Sequence, residues 1–444
     1  MLKYEQIIEY IITNIEEGKY KIKMPLPTIR ELSKKFSCSK STVMKAYNEL
    51  QYQKLVYGIP KSGYFLVNKK IDSILDKKEI NFVMATPDKR IFPYQDFQNC
   101  LSESAVKYKD ILFRYNNSQG LLSLRKLLSE QLQEYQVFSS INNLVVTNGA
   151  QQAIHILCNL DFGNNKKNIL VEEPTYTGIL KILRWKKIKV YTVKRSFEGI
   201  DLDRLEYLFK YGNIKFFYTT TRFHNPLGSS LSLQQRRKIC YLAKKYDVYI
   251  IEDDYLAELY TRNDVPLYYE DDSRHIIYIK SFSKIILPEL RLAAVVLPDN
   301  LINAFNECKN NIDLGTSLLL QGALEIYLSS GMFETHKKKS RKIYKNKMKK
   351  IQEYSLKYNF KNCKWYIPKT GYFFCINFYD NVDIETLIKN VQKQNIILGN
   401  INDNFIFKNR NKYNILKLCI SSLSEEEIKN GLDNILEEVI KILR

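Results

Sequence analysis

The apolar positions of the first seventy residues fall into three helical periods followed by two short extended runs. Ile7, Ile8, Ile11, Ile12 and Ile15 recur at three- and four-residue steps and stop at Gly18, which predicts a helix with one packed face. Thr28-Ile29-Arg30-Glu31 is a capping box, in which the threonine hydroxyl and the glutamate carboxylate satisfy free amides at a helix start; Ile29, Leu32 and Phe36 form its apolar side. After the turn Ser37-Cys38-Ser39, the residues Val43, Ala46, Tyr47 and Leu50 sit at i, i+3, i+4 and i+7 and leave Ser41, Lys45 and Asn48 facing the other way. Leu55-Val56-Tyr57 and Tyr64-Phe65-Leu66-Val67 read as two strands around a turn from Gly58 to Gly63. Two helices, a three-residue turn, a third helix and a two-stranded wing match the helix-turn-helix plan, whose third helix offers hydroxyls and lysines where a major groove would meet them; the alternative is an ordinary three-helix packing unit with a solvated lysine face.

Residues 68–80 are polar, charged and without period, and are expected to be a linker. Beyond them short apolar runs alternate with helical patterns: Leu144 to Val146, Ile169 to Val171, Ile188 to Val193, Ile214 to Tyr218, Val248 to Ile251, Ile276 to Ile279 and Ala293 to Leu297. This alternation predicts an α/β domain on a mostly parallel sheet, where chemistry gathers just past the carboxyl ends of strands. After the first run, Thr147-Asn148-Gly149-Ala150-Gln151 turns into a helix whose free amides suit a phosphate. The second is followed by Glu172-Glu173-Pro174-Thr175-Tyr176, the fourth by His224-Asn225-Pro226, and the fifth by Glu252-Asp253-Asp254-Tyr255. Acids placed after a buried strand are costly unless they hold a cation. The sixth run leads into Lys280-Ser281-Phe282-Ser283-Lys284 and on to Arg291, an amine beside hydroxyl and guanidinium groups.

Composition and charge narrow the partners. The 444 residues exceed a single core, so a small and a large domain are expected: 1–67, a linker at 68–80, and 81–444. The net charge of +20 favours an acidic partner, and between Leu32 and Ile71 Glu49 is the sole acid among eight lysines. Eight scattered cysteines without a CxxC pair, and four histidines without ligand spacing, predict reduced thiols in a cytoplasmic protein and no metal site. No apolar run is long enough to cross a membrane. The stretch from His336 to Lys350 carries nine basic residues and reads first as the solvated face of a helix, with DNA contact as the alternative.

The segment LPTIRELSKKFSCSKSTVMKAYNELQYQKLVYGIPKSGYFLV resembles the GntR family of winged-helix repressors over about residues 2–67. The resemblance implies double-stranded DNA as partner, with Arg30 and Lys40 at backbone or base edges, Ser41, Thr42 and Lys45 on the recognition helix, and Gly63 at the wing tip. The family's Pro-Gly turn before the second helix is here Ile22-Lys23-Met24. From about residue 80, IIYIKSFSKIILPELRLAAVVLP, with EEPTYTG, HNPLG, EDDY and TNGAQQA, resembles the fold type I aminotransferases that use pyridoxal 5'-phosphate. That likeness implies a mostly parallel sheet with a smaller C-terminal α+β subdomain. It also implies an imine to the cofactor at Lys284, Asp253 on the pyridine nitrogen, Tyr255 and Asn225 on the phenolic oxygen, and Tyr176 stacked on the ring. Ala150, Gln151, Ser281, Ser283 and Arg291 would hold the phosphate, and Tyr115 would reach the phosphate of a partner subunit in a homodimer. The two resemblances in one chain resemble the MocR/GabR subfamily of GntR regulators, in which the large domain senses an amino compound or the cofactor itself and the dimer is commonly domain-swapped.

The chain departs from the aminotransferases where they bind a substrate carboxylate. The arginine of the strand before the last helix falls here on Lys417, which keeps the charge and loses the bidentate fork. Glu289 replaces a glycine near the aldimine lysine. Gly178 stands where γ-aminobutyrate-responsive relatives are expected to carry an arginine, so that effector is not assigned. A regulator with weak or no transaminase turnover is expected. The alternatives are an active aminotransferase with an appended winged helix, and a regulator whose large domain only dimerises.

Overall fold

The computed structural model describes residues 3–20, 24–52, 55–59, 62–67, 79–115, 117–186, 188–260, 264–357, 363–379, 382–407 and 414–443. The chain divides into two compact units, residues 1–78 and 79–444.

In the first unit, α1 (Lys3–Glu16), α2 (Ile29–Lys35) and α3 (Lys40–Tyr52) are followed by the ribbon β1 (Val56–Ile59) and β2 (Gly63–Leu66). Ile7, Ile11, Leu32, Val43, Ala46, Tyr47 and Leu50 are the buried side of the three helices, so each apolar period finds its partner in the others. The capping box at Thr28 and Glu31 is formed in both directions. Tyr47 stacks on Tyr64 with ring centroids 3.9 Å apart and ties α3 to the wing. The wing ladder runs further than expected: Gly58 pairs with Tyr64 and Ile59 with Gly63. The turn is shorter because Gly63, at φ +101°, adopts a backbone conformation that L side chains avoid and lets the chain reverse there. Most of the Ile22-Lys23-Met24 loop lies outside the described residues.

The second unit begins with β3 (Ile80–Asn81), α4 (Tyr94–Lys107) and α5 (Leu122–Gln133). Next come β4 (Leu144–Thr147), α6 (Gly149–Asn159), β5 (Asn168–Glu173), α7 (Thr177–Lys186), β6 (Val190–Lys194), α8 (Leu202–Tyr211) and β7 (Ile214–Thr219). They are followed by α9 (Leu233–Tyr246), β8 (Tyr249–Asp253), β9 (Ile276–Ser281), β10 (Ala293–Val296), α10 (Asp299–Asp313), α11 (Leu318–Ser329) and α12 (Met332–Lys357). All seven apolar runs become strands of one sheet in the order β4-β10-β9-β8-β7-β5-β6, and β10 alone runs antiparallel to its neighbours. Side chains alternate between its faces: Leu144 and Val146 enter one core and Val145 another, which is why these strands read as continuous apolar runs.

A smaller C-terminal layer holds β11 (Cys363–Tyr366), β12 (Phe373–Phe378), α13 (Ile384–Gln392), β13 (Ile396–Ile397), β14 (Ile415–Cys419) and α14 (Glu425–Leu443). Here β11, β12 and β14 form an antiparallel sheet. The linker expectation needs a correction at its end, because Ile80 pairs with Ile396 in a parallel two-stranded sheet and packs on this layer's core. Residues 68–78 of that expectation lie outside the described residues.

Candidate cofactor site and nucleic-acid face

The carboxyl ends of the parallel strands bring together most of the residues singled out from the sequence. β8 ends in Asp253, 5% exposed, whose Oδ2 accepts the hydroxyl of Tyr218 at 2.6 Å. Its Oδ1 has no hydrogen-bond partner among the described residues. Burial raises the Asp253 carboxyl to about 6, against the lowering effects of Tyr218 and Lys284. β9 leads into Lys284, whose Nζ donates to the carbonyl of Ala85 at 2.6 Å. Burial lowers the proton affinity of this amine, partly offset by Cys419 and Asp253. A desolvated amine gives up its proton more readily, and the free base is the nucleophilic form. Tyr372 donates its hydroxyl to the carbonyl of Lys284 and fixes the main chain beneath the amine.

The flanks of this pair are built from turns. Gly149 opens α6 at φ +75°, and a Cβ there would stand 2.8 Å from Nη2 of Arg291. Only glycine lets the guanidinium lie against the helix start, where the amides of Ala150 and Gln151 are unclaimed by the helix. Arg291 donates to the carbonyl of Asn148 at 3.4 Å. Ser283 Oγ is buried without a partner among the described residues, and its amide donates to Ser281 Oγ at 3.2 Å. Tyr176, its hydroxyl raised chiefly by burial and then by Asp253, lies in the field of Asp253 and Arg291. A cavity of about 490 Å³ is lined by Tyr176, Asn225, Lys284, Phe373, Asp403 and Lys417 among others. At its wall Lys417 Nζ donates to Asn225 Oδ1 at 3.1 Å, which leaves the Asn225 NH2 group as a donor without a partner among the described residues. Burial lowers the proton affinity of Lys417.

Two expected residues stand apart from this arrangement. The Tyr255 hydroxyl donates to the carbonyl of Phe223 at 2.5 Å, so only its oxygen lone pairs face other groups. Tyr115 is 89% exposed and belongs to no part of the cluster within this chain. Three contributors were missed in the sequence. Tyr218 ends the fourth apolar run, and a phenol at the end of a buried strand signals a polar partner nearby. Asp313 accepts Asn148 Nδ2 at 2.6 Å and Gln152 Nε2 at 2.7 Å and so locks the turn before α6 from 165 residues away; nothing local announces it. The Ala85 carbonyl is a main-chain group and carries no residue-type signal.

In the first unit Arg30, Lys40, Ser41 and Lys45 are exposed and Thr42 is half-buried. Ser39 Oγ accepts the amide of Thr42 at 3.2 Å and holds the start of α3, beside the hydroxyls of Ser41 and Thr42 at 2.7 and 2.8 Å. Lys45 Nζ rests 4.2 Å from the centre of the Tyr4 ring, and Gly63 is exposed with open space around it.

An open acid at a strand end, a desolvated lysine, and a glycine-arginine cradle at a helix start on a mostly parallel sheet are the marks of a protein built on the vitamin B6 aminotransferase fold. The chain matches Aminotransferase class I and II over residues 75–435 and the gntR family of bacterial regulatory proteins over residues 3–66. It is 37% identical to the HTH-type transcriptional regulator YcxD of Bacillus subtilis, over 97% of this chain and 98% of that protein. It is 25% identical to the HTH-type transcriptional regulator NorG of Staphylococcus aureus, over 94% of this chain and the whole of that one. Kynurenine aminotransferase of Pyrococcus horikoshii superposes with a TM-score of 0.76 at 24% identity, covering 85% of this chain and 96% of its own. LysN, the α-aminoadipate aminotransferase of Thermus thermophilus, superposes with a TM-score of 0.75 at 24% identity, covering 85% and 95%. The chain belongs to the transcription regulators that join a GntR helix-turn-helix to an aminotransferase-like domain, the MocR/GabR type.

Proposed function

We propose that this regulator holds pyridoxal 5'-phosphate on Lys284 and that a small amino compound, or the cofactor itself, is its signal. The observation that carries this reading is the open Oδ1 of buried Asp253 at the end of β8, together with the amine of Lys284 just past the end of β9, bound only to the Ala85 carbonyl among the described residues. An unpaired carboxylate oxygen in the interior is costly unless a cationic donor meets it, and the protonated nitrogen of a pyridine ring is such a donor. Bound there, the cofactor supplies an aldehyde that condenses reversibly with amines. The protein's own residues bind and orient: Asp253 holds a proton on the ring nitrogen, and Tyr218 holds Asp253. The NH2 group of Asn225, turned by Lys417, meets the phenolic oxygen, and Tyr176 covers a ring face. Arg291, Ser281, Ser283 and the α6 amides of Ala150 and Gln151 meet the phosphate. Tyr255, whose hydroxyl donates to the Phe223 carbonyl, would have to turn that proton toward the phenolic oxygen to join Asn225 there.

Lys417 at the cavity wall supports a sensor over an efficient transaminase. Its amine is engaged by Asn225 and offers a carboxylate a point charge without a fork. Phe113 and Tyr115, 93% and 89% exposed, fit a second copy that would bury them, and we assign a homodimer on that ground. On the first unit, Arg30, Lys40, Ser41, Thr42, Lys45 and the wing tip at Gly63 form the face offered to operator DNA. The reading is tested with purified protein incubated with the cofactor and reduced with borohydride. A mass increment at Lys284, together with duplex binding that changes when an amino compound displaces the cofactor linkage, is the expected result. Multiple turnover with any amino acid and 2-oxo acid pair would replace the sensor by an enzyme.

A further inference from the structure

The helix α12 is the most one-sidedly charged element of the chain, and neither the cofactor site nor the recognition helix uses it. Residues 1–78 hold 15 basic and 8 acidic side chains, so 13 of the 20 excess positive charges lie in the second unit. Met332–Lys357 alone holds 10 basic and 2 acidic residues. A helix face that is merely solvated normally interleaves acids at i±3 and i±4, because like charges at those spacings repel. Here the two acids are already taken, Glu334 by Lys337 at 2.6 Å and Glu353 by Lys349 at 3.6 Å. Lys347 turns inward to Asp88 at 3.0 Å, and Lys350 pairs with Glu425.

What remains is Lys338, Lys339, Lys342 and Lys345, all exposed and all without an ion pair among the described residues. Lys338, Lys342 and Lys345 stand at i, i+4 and i+7, on one face along roughly 10 Å of helix. Lys349 extends the same row by one more turn, where Glu353 only partly neutralises it.

We infer that this lysine row is a second DNA contact of the regulator, a sequence-independent one that grips the phosphate backbone. The repulsion along the row is relieved only when an anion with closely spaced charges comes against it, and duplex DNA presents one charge per ~1.7 Å of axis. The row has no aromatic or apolar residue among its exposed members for reading bases or entering a bilayer, so it positions and does not specify.

The test uses the full-length protein and a mixed-sequence duplex of about sixty base pairs, with affinity measured across a salt series. In the triple variant Lys338→Gln/Lys342→Gln/Lys345→Gln the slope of log affinity against log salt becomes shallower by about 2 to 3, since each lost phosphate contact removes about 0.9. The triple Lys→Arg variant keeps the wild-type slope. Unchanged cofactor loading shows that the Gln variant is folded. If wild type binds the duplex and the Gln variant matches it in slope and affinity, the inference is wrong while the regulator reading stands. Wild type that binds no duplex at low salt defeats both. Sedimentation with phosphatidylglycerol vesicles that depends on the same three lysines, with no change in the DNA slope, overturns the inference in favour of a membrane surface.

Discussion

Three consecutive acids at the end of β8 meet opposite fates. Glu252 and Asp254 face a cluster in which every carboxylate oxygen has a partner. Glu252 accepts the amides of Leu267 and Tyr268 at 2.8 and 2.9 Å and the hydroxyl of Thr221. Asp254 accepts the hydroxyls of Tyr278 and Tyr260 at 2.5 and 3.1 Å and pairs with Arg222, whose guanidinium lies 3.2 Å from the centre of the Tyr260 ring. Asp253, between them in sequence and opposite in direction, keeps one oxygen open among the described residues. Burial is similar for all three, at 0%, 5% and 3% exposed, so desolvation does not separate them. Hydrogen bonding does: the carboxylates of Glu252 and Asp254 are completed by the protein, whereas Asp253 keeps an open oxygen at the strand ends that also carry Lys284 and Arg291, where a ligand can finish the arrangement.

The sharpest break of this contrast is at Lys284. Lys284→Ala removes the one amine proposed to bond the cofactor, and borohydride-stable cofactor incorporation falls to background. The fold persists because Lys284 and the half-buried Ala85 line an open cavity, so water can replace the lost amine at the Ala85 carbonyl and thermal unfolding moves little. Next comes the structural cluster. Arg222→Met strands the Asp254 carboxylate without its cation and costs about 3–5 kcal/mol of stability. Differential scanning calorimetry records a large fall in Tm, while the folded fraction still takes up cofactor at Lys284.

Asp253→Asn inverts that pattern. In the cofactor-free protein the carboxyl titrates near 6, above its ordinary value of 3.8, so its ionised form opposes folding. The folded state holds the proton longer than the unfolded one, and stability therefore falls as pH rises from about 4 to 6 and stays lower above it. The span of about two pH units corresponds to roughly 3 kcal/mol, which the neutral amide recovers at pH 7.5. An amide in place of the carboxylate cannot hold a charged ring nitrogen, so the same substitution weakens cofactor affinity by roughly tenfold or more. Chemical denaturation at pH 4 and pH 7.5, beside a cofactor titration, checks both signs; a variant less stable at pH 7.5 would mean that Asp253 is part of the framework.

Local signals were readable and long-range ones were not. The seven apolar runs named all seven strands of the large sheet because a strand buried on both faces leaves its mark in its own residues. Their order, and the reversal of β10, depend on pairings between segments far apart and left no such mark. The same division holds at the site. Lys284, Asp253 and Arg291 sit in short motifs next to strand ends and were legible together, whereas Asp313 and the Ala85 carbonyl act from 165 and 199 residues away. Tyr255 shows a limit of motif reading, since its neighbours are as expected while its hydroxyl proton goes to the Phe223 carbonyl.

The smallest effect tests the contrast most finely, because Tyr218 is the group that already half-satisfies Asp253. Tyr218→Phe keeps the ring and its packing in a fully buried position and removes only the 2.6 Å donor. Loss of that hydrogen bond favours the protonated carboxyl, so the midpoint of the pH-dependent stability change moves above about 6 in the cofactor-free protein. A net contribution of about 1 kcal/mol weakens cofactor affinity roughly fivefold, well short of the loss in Asp253→Asn. Combined with Asp253→Asn the phenol has no ionised partner left, so the double variant binds cofactor no worse than Asp253→Asn alone. Additive losses would place Tyr218 directly on the ligand and not behind the acid.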